Sequence, residues 1–288
     1  MKLCAAAVVA VGTFGVAAAE PLLPAQSANI ALADRGAGPR SVLALAFAPG
    51  TKRRVELAID AHDLLDGPAR HVDTVWPTLV LGGELSITGV DARGTASWQL
   101  AIKSATARDV PHAERTAARY AEEAHGLVGV TVLGTVTAHG QIGAVTVRAV
   151  PGDRRHDADV GLLAMALKPM WPVLPIQPIA VGARWRSEQR GTFVNSRPTV
   201  EAIDFVLVAR DANGWRIDAT SVLADPPDVA TKEVSGSGTQ SYTLDGPVVP
   251  SSSVVLSTVV TGPSDAHDPH SPLSTVRTED AIAVRALK

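Results

Sequence analysis

From residue 41 onward the chain alternates apolar and polar positions, the mark of strands with one buried face. Residues 54 to 60 place Val55, Leu57 and Ile59 on one side, while Val42 to Phe47 is apolar on both. Residues 61 to 73, AHDLLDGPARHVD, read as a polar loop, after which strands resume at Val75 and run past Gly82 and Gly83. Further strands are expected at 84 to 90, 95 to 105, 183 to 195, 200 to 210, 215 to 223, 230 to 244 and 248 to 261. A loop at 262 to 274 and a closing strand at 275 to 286 complete the pattern.

Two segments break the period of two. Residues 112 to 125 place Ala113, Ala117, Tyr120, Ala121 and Ala124 on one helical face, with Asp109 as a candidate cap and Gly126 as a stop. Arg119 and Glu123 can pair on the opposite face. Residues 159 to 168, DVGLLAMALK, predict a second helix that is apolar nearly all round. Such a helix must be buried on both sides or face something apolar.

Asp91-Ala92-Arg93-Gly94 and Asp211-Ala212-Asn213-Gly214 each separate two strand-like runs. In both, Asp opens a hairpin turn and Gly supplies positive φ. Gly134-Thr135 and Gly238-Thr239 are read as opening further hairpins, which close through His139-Gly140 and Asp245-Gly246. The spacing suggests an internal duplication: two antiparallel meanders, with the helix at 112 to 125 inserted in the first half only. The fold class is therefore mainly β, with curved antiparallel sheets forming a half-barrel or sandwich from two related meanders, and two helices.

Between the halves lies a proline-rich crossover, residues 169 to 181. Pro169, Pro172, Pro175 and Pro178 recur every three residues, the period of polyproline II. The intervening residues are apolar except Gln177, which predicts packing against the body of the protein, not a solvated linker. The run Leu174 to Trp185 has the form LPxxP[IV]xxGxxW, and it resembles a motif of uncharacterised bacterial exported proteins and lipoproteins. The resemblance covers about a dozen residues. It implies a β-rich fold and carries no catalytic residue onto this chain.

The first twenty residues, MKLCAAAVVAVGTFGVAAAE, follow the pattern of a secretory signal peptide, with Lys2 before an apolar stretch and small residues at 17 to 19. Cleavage after Ala19 would leave 288 − 19 = 269 residues. Cys4 stands too early to be a lipidated cysteine, and its loss would leave a mature chain with no cysteine and no disulfide. Lys2 goes as well, so 25 basic against 29 acidic residues give a net charge of −4. That balance argues against nucleic acid and against a basic membrane patch. Residues 20 to 39, with little pattern, are expected to be a flexible tether. Residues 40 to 168 and 182 to 288 would form the two halves of one compact unit in the periplasm or outside the cell.

Candidate chemistry is sparse. His62, Asp63, Asp66, His71 and Asp73 gather in one expected loop, and His267, Asp268 and His270 in another, but neither group has a recognised metal-ligand spacing. There is no GxSxG elbow and no Ser-x-x-Lys. No metal, cofactor or enzymatic activity is expected. The leading reading is a non-enzymatic binding or scaffold protein of the envelope or the secreted fraction. Two alternatives stand beside it. One is a carrier of a lipid or other hydrophobic ligand, in a cavity between sheet and helix lined by Leu162, Met165, Met170 and Trp171. The other is a hydrolase without a recognisable motif. That the same four side chains fill a core is the simpler account of them.

Overall fold

The computed structural model describes residues 22, 23, 25, 28 to 68, 70 to 148, 163, 164, 166 to 193, 197 to 211, 214 to 229, 233 to 244, 250 to 265 and 268 to 287. The expected signal peptide, Leu162 and Met165 lie outside them. In chain order the elements are β1 (Asn29–Asp34), β2 (Lys52–Gly67), β3 (Arg70–Val75), β4 (Thr78–Val90), β5 (Ala96–Arg108), α1 (Ala117–Glu123), β6 (Thr131–Val136) and β7 (Thr146–Arg148). Then follow β8 (Arg184–Phe193), β9 (Arg197–Arg210), β10 (Trp215–Ala224), β11 (Val234–Leu244), β12 (Ser251–Asp265) and β13 (Asp268–Leu287).

The strands form one curved antiparallel sheet in the order β1-β8-β9-β10-β11-β12-β13-β2-β4-β5-β6-β7, with β3 pairing on β2. Each half of the chain is a meander, and the last strand of the second, β13, pairs with the first long strand of the first, β2. Alternation sets the faces. In β10, Trp215, Ile217, Ala219, Ser221 and Leu223 are buried, and the residues between them are exposed.

The N-terminal segment, expected as a tether, is part of the sheet. Asn29 to Asp34 pair with Glu188 to Arg184 on β8. Upstream, Leu23 bridges Val145 beside β7, with hydrogen bonds in both directions at 3.3 and 2.8 Å. One stretch of chain thus touches both margins of the sheet.

Residues 61 to 73 are not a loop. Asp60 to Asp66 continue β2 and pair with β13, and beyond Gly67 the chain returns as β3, Arg70 to Val75. Residues 262 to 274 likewise lie largely within β12 and β13. Asp, His, Gly and Pro look like loop material locally, but long-range pairing with a neighbouring hairpin overrides that preference.

The helix starts later than expected. Thr116 is the N-cap and accepts from the Arg119 amide, and the helix continues through a 3-10 turn to Leu127, 11 residues in all. Positive φ keeps His112, the expected first residue, out of the helix. Asp109 still serves the helix, accepting from the Ala117 amide at 2.9 Å. The Arg119–Glu123 pair forms at 3.1 Å. Among the described residues it is the one continuous helix where two were expected. Of the segment expected as the second helix, residues 159 to 162 and 165 lie outside the described ones; Leu163, Ala164, Ala166 and Leu167 are helical and lead into a 3-10 turn, Lys168–Met170.

The Asp91 turn has the expected chemistry: its Oδ1 accepts from the Arg93 and Thr95 amides. At the other turn, Asp211 Oδ1 accepts from the Gly214 amide at 3.1 Å. Gly134 and Gly238, read as hairpin openings, instead lie inside β6 and β11. Gly134 sits opposite Trp98, and a methyl group there would overlap the indole. The real turn is at 137 to 140, closed by the Gly140 amide donating to Thr137 O at 2.9 Å.

Candidate functional site

Two surfaces are candidates, the inner face of the sheet and its outer face. The crossover decides the first. Pro169, with φ −88° and ψ 15°, belongs to the 3-10 turn and not to a polyproline helix. From Trp171 the chain is extended, and residues 171 to 175 are buried. Ile176, at 64% exposed, turns outward where an apolar packed face was expected.

The buried backbone finds partners in the body, as a segment without internal hydrogen bonds must. The Leu174 amide donates to His139 O at 2.8 Å, and Val173 O accepts from Trp185 Nε1 at 2.8 Å. The Ile179 and Ala180 amides donate to Ser41 O and Arg35 O. Gly140, at φ 78°, lies so close beneath Pro172 that a methyl group would overlap the Pro172 carbonyl oxygen.

Met170 and Trp171, two of the four residues expected to line a hydrophobic cavity, are core residues. Met170 is 0% exposed and Trp171 2%. Trp171 packs against Trp98 with ring centroids 5.5 Å apart, and Trp185 stacks on Phe205 at 5.3 Å. Leu43 and Leu45 enter the same cluster from the segment between β1 and β2.

The inner face becomes polar toward one end of the sheet. One row in register runs Gln189, Glu201, Leu223, Gly236, Thr258, Thr278, Asp63, Thr74 across β8 to β13, β2 and β3. Glu201, 9% exposed, accepts from Gln189 Nε2 at 2.9 Å and from Lys168 Nζ. In the next row Asp280 is 8% exposed. Burial, reinforced by the nearby charge of Asp63, pushes its carboxyl up to about 6. Asp63 accepts from Trp76 Nε1 at 2.9 Å. Tyr242 donates to Gln240 at 2.7 Å, and its burial, with the charge of Glu201, pushes its phenol well up.

The residues read as a metal cluster separate onto opposite faces. Asp63 points inward. His62 lies on the outer face, 2.7 Å from Asp73 and 3.9 Å from Glu279. His71 is 3.8 Å from Asp66. Among the described residues no group of three or more His, Cys, Asp or Glu could hold a metal. His267 lies outside them.

The outer face of the second meander carries a groove of about 690 Å³ that crosses the strands. Two registered rows line it. The first is Arg186, Asp204, Thr220, Thr239, Val255 and the second Arg184, Val206, Asp218, Ser241, Ser253, each from β8 to β12. Arg186 pairs with Asp204 at 2.9 Å, and Arg216 approaches Asp218 at 3.9 Å. Arg184 makes no ion pair among the described residues.

Sequence reasoning passed over this groove. Its only signal was the polar phase of the alternation in β11 and β12, where the outward positions are mostly small Ser and Thr. Small side chains in the middle of a sheet face, with long charged ones beside them, leave a trough.

A scan against protein-family models finds no match, and no curated protein matches the chain. No helix among the described residues is long and apolar enough to cross a membrane.

Proposed function

We propose that this is an exported, non-enzymatic binding or scaffold protein of the bacterial envelope or secreted fraction, which engages its partner from the outside of the sheet. The observation that carries the reading is the filled inner face. The crossover occupies the space a carrier would keep for its ligand, and Trp171 and Met170 are packed within it. The polar row beyond them is also a poor lining for a lipid, because each buried polar group needs a partner that an acyl chain lacks. Export rests on the leader-like first nineteen residues and on the resemblance of the LPxxP[IV]xxGxxW run to exported proteins.

The test is a paired one on protein expressed with its leader. N-terminal sequencing of the exported fraction should begin at Glu20 or within a few residues. Organic extraction of the same material should release no stoichiometric lipid. One mole of lipid per mole of protein would replace this reading with the carrier.

A further inference from the structure

We propose that β3 pairs edge to edge with β3 of a second copy of this chain, about a two-fold axis at Val72, so that two molecules share one continuous sheet. The inference goes beyond the binding-protein reading and does not depend on the outer groove.

Among the described residues β3 pairs with β2 and with no other strand. Backbone groups along an antiparallel strand turn alternately to one side and the other. The Trp76 amide donates to Ala61 O on the β2 side, and Val75 O accepts from the Glu114 amide on the far side. Counting back, Val72 and Thr74 turn toward β2, while His71 and Asp73 turn their N–H and C=O groups outward. Those outward groups have no hydrogen-bond partner among the described residues. They form a template for one more strand.

The side chains of this edge fit its own copy. In a two-fold antiparallel pair, only residues that turn the same way can face each other, so the axis passes through His71, Val72 or Asp73. An axis at Asp73 sets carboxylate against carboxylate, and an axis at His71 sets imidazole against imidazole. An axis at Val72 sets His71 opposite Asp73 of the second copy, and Asp73 opposite its His71. Each of these pairs exchanges both backbone hydrogen bonds. Asp73 Oδ1 lies 2.7 Å from His62 Nε2, which among the described residues leaves Oδ2 for the incoming imidazole. A strand without a histidine there would bury this carboxylate unmatched, so the charge that guards the edge also selects its partner.

The inner face agrees. Val234, Val260, Val276, Leu65 and Val72 form one registered row from β11 to β3, next to the polar row that holds Asp63 and Thr74. Val276 is 38% exposed, and the row stops at Val72 on the open edge. An axis at Val72 places the two valines in a non-hydrogen-bonded pair, with Cα atoms about 4.5 Å apart, and carries the apolar row on into its copy.

Sedimentation and disulfide trapping of the protein expressed with its leader test the pairing. One short strand pair buries less than the roughly 1,200 Å² of stable complexes, so the parent should show a reversible monomer–dimer equilibrium. Asp73→Pro removes an outward N–H that β2 does not use, and should abolish the dimer while leaving the unfolding transition in place. His71→Asp sets like charges opposite each other twice and should weaken the dimer by about tenfold. Adding Asp73→Lys to it should restore the dimer. With the chain's one cysteine removed by Cys4→Ser, Val72→Cys should oxidise to a covalent dimer, because the expected spacing suits a disulfide. His71→Cys is the control. It is the more exposed position, but it is displaced from its copy by two residues along the strand, about 7 Å, and should not cross-link. A protein that stays monomeric up to about 1 mM overturns the proposal. So does equal cross-linking at the two positions, or a dimer indifferent to Asp73→Pro, which is what exchange of β1 would give.

Discussion

The two meanders share a sheet and differ in what they bury. The inner face of β2, β4, β5 and β6 is built from Val55, Leu57, Ile59, Leu81, Leu85, Ile87, Trp98, Leu100 and Val132. Among the described residues the first meander buries two polar side chains, Thr74 and Thr78. The second buries nine, from Ser187 and Glu201 to Thr258 and Asp280. An apolar interior is specified by volume and tolerates exchange of similar shapes. A polar interior is specified group by group, because each donor or acceptor taken from water must be matched. Most of these are matched. Asp225 accepts from the Glu233 and Val234 amides, and Glu201 from Gln189 and Lys168. Lys168 comes from the 3-10 turn that leads into the crossover, so the second interior is completed by a residue outside the strands of either meander.

The contrast makes four predictions, from the largest effect downward. Trp171→Ala removes the indole that joins the crossover to Trp98, and should cost about 3–5 kcal/mol in urea unfolding, with a single transition. Two separate transitions, or a cost below about 1 kcal/mol, would mean that the halves are stabilised independently. Lys168→Met leaves the Glu201 carboxylate buried with one partner fewer and should cost about 1–3 kcal/mol. The double change Lys168→Met with Glu201→Met should recover much of that loss. If it does not, the ion pair is not what the second interior depends on.

Asp280 gives a pH signature. Its folded-state carboxyl is raised from 3.8 to about 6, so between those values the native state holds more protons than the unfolded one. Stability attributable to this group therefore falls as pH rises from about 4 to about 6, and stays lower above. Asp280→Asn should flatten that slope and stabilise the protein at pH 7 by on the order of 1–2 kcal/mol, allowing for screening. A slope unchanged in the variant would assign it elsewhere. The smallest effect belongs to Ser252. Its Oγ is buried without a partner among the described residues, so Ser252→Ala should change stability by no more than about 0.5 kcal/mol, or raise it.

How much of this was legible in the sequence depended on range. Chemistry within a few residues was readable: the Asp91 and Asp211 turns, the Arg119–Glu123 pair, the alternation of β10, and the burial of Trp171 and Leu174. Features that rest on distant pairing were not. The strands at 61 to 73 exist because β13 lies beside them, and β1 exists because β8 does. The period of three in the prolines suggested one regular helix. A 3-10 turn at Pro169 and an outward Ile176 divide it, because the segment follows the shape of the cleft it fills. Of the candidate site, Met170 and Trp171 were recognised as inward-facing and apolar. The groove was invisible because it depends on which small residues of five strands fall side by side, and that register is not written in any one strand.

The strand at Asn29–Asp34 has a consequence in time. Its partner on β8 lies up to 159 residues further along the chain, from Asn29 to Glu188. A chain that emerges N-terminus first must keep this segment unpaired until most of the sheet exists, and closing so large a loop is entropically slow. Until then the free edge of β8 is open to any other strand, including the same strand of a neighbouring molecule. The last step of folding is thus also the step at which two chains can exchange their first strands, so crowding during refolding should favour strand-swapped dimers over monomers.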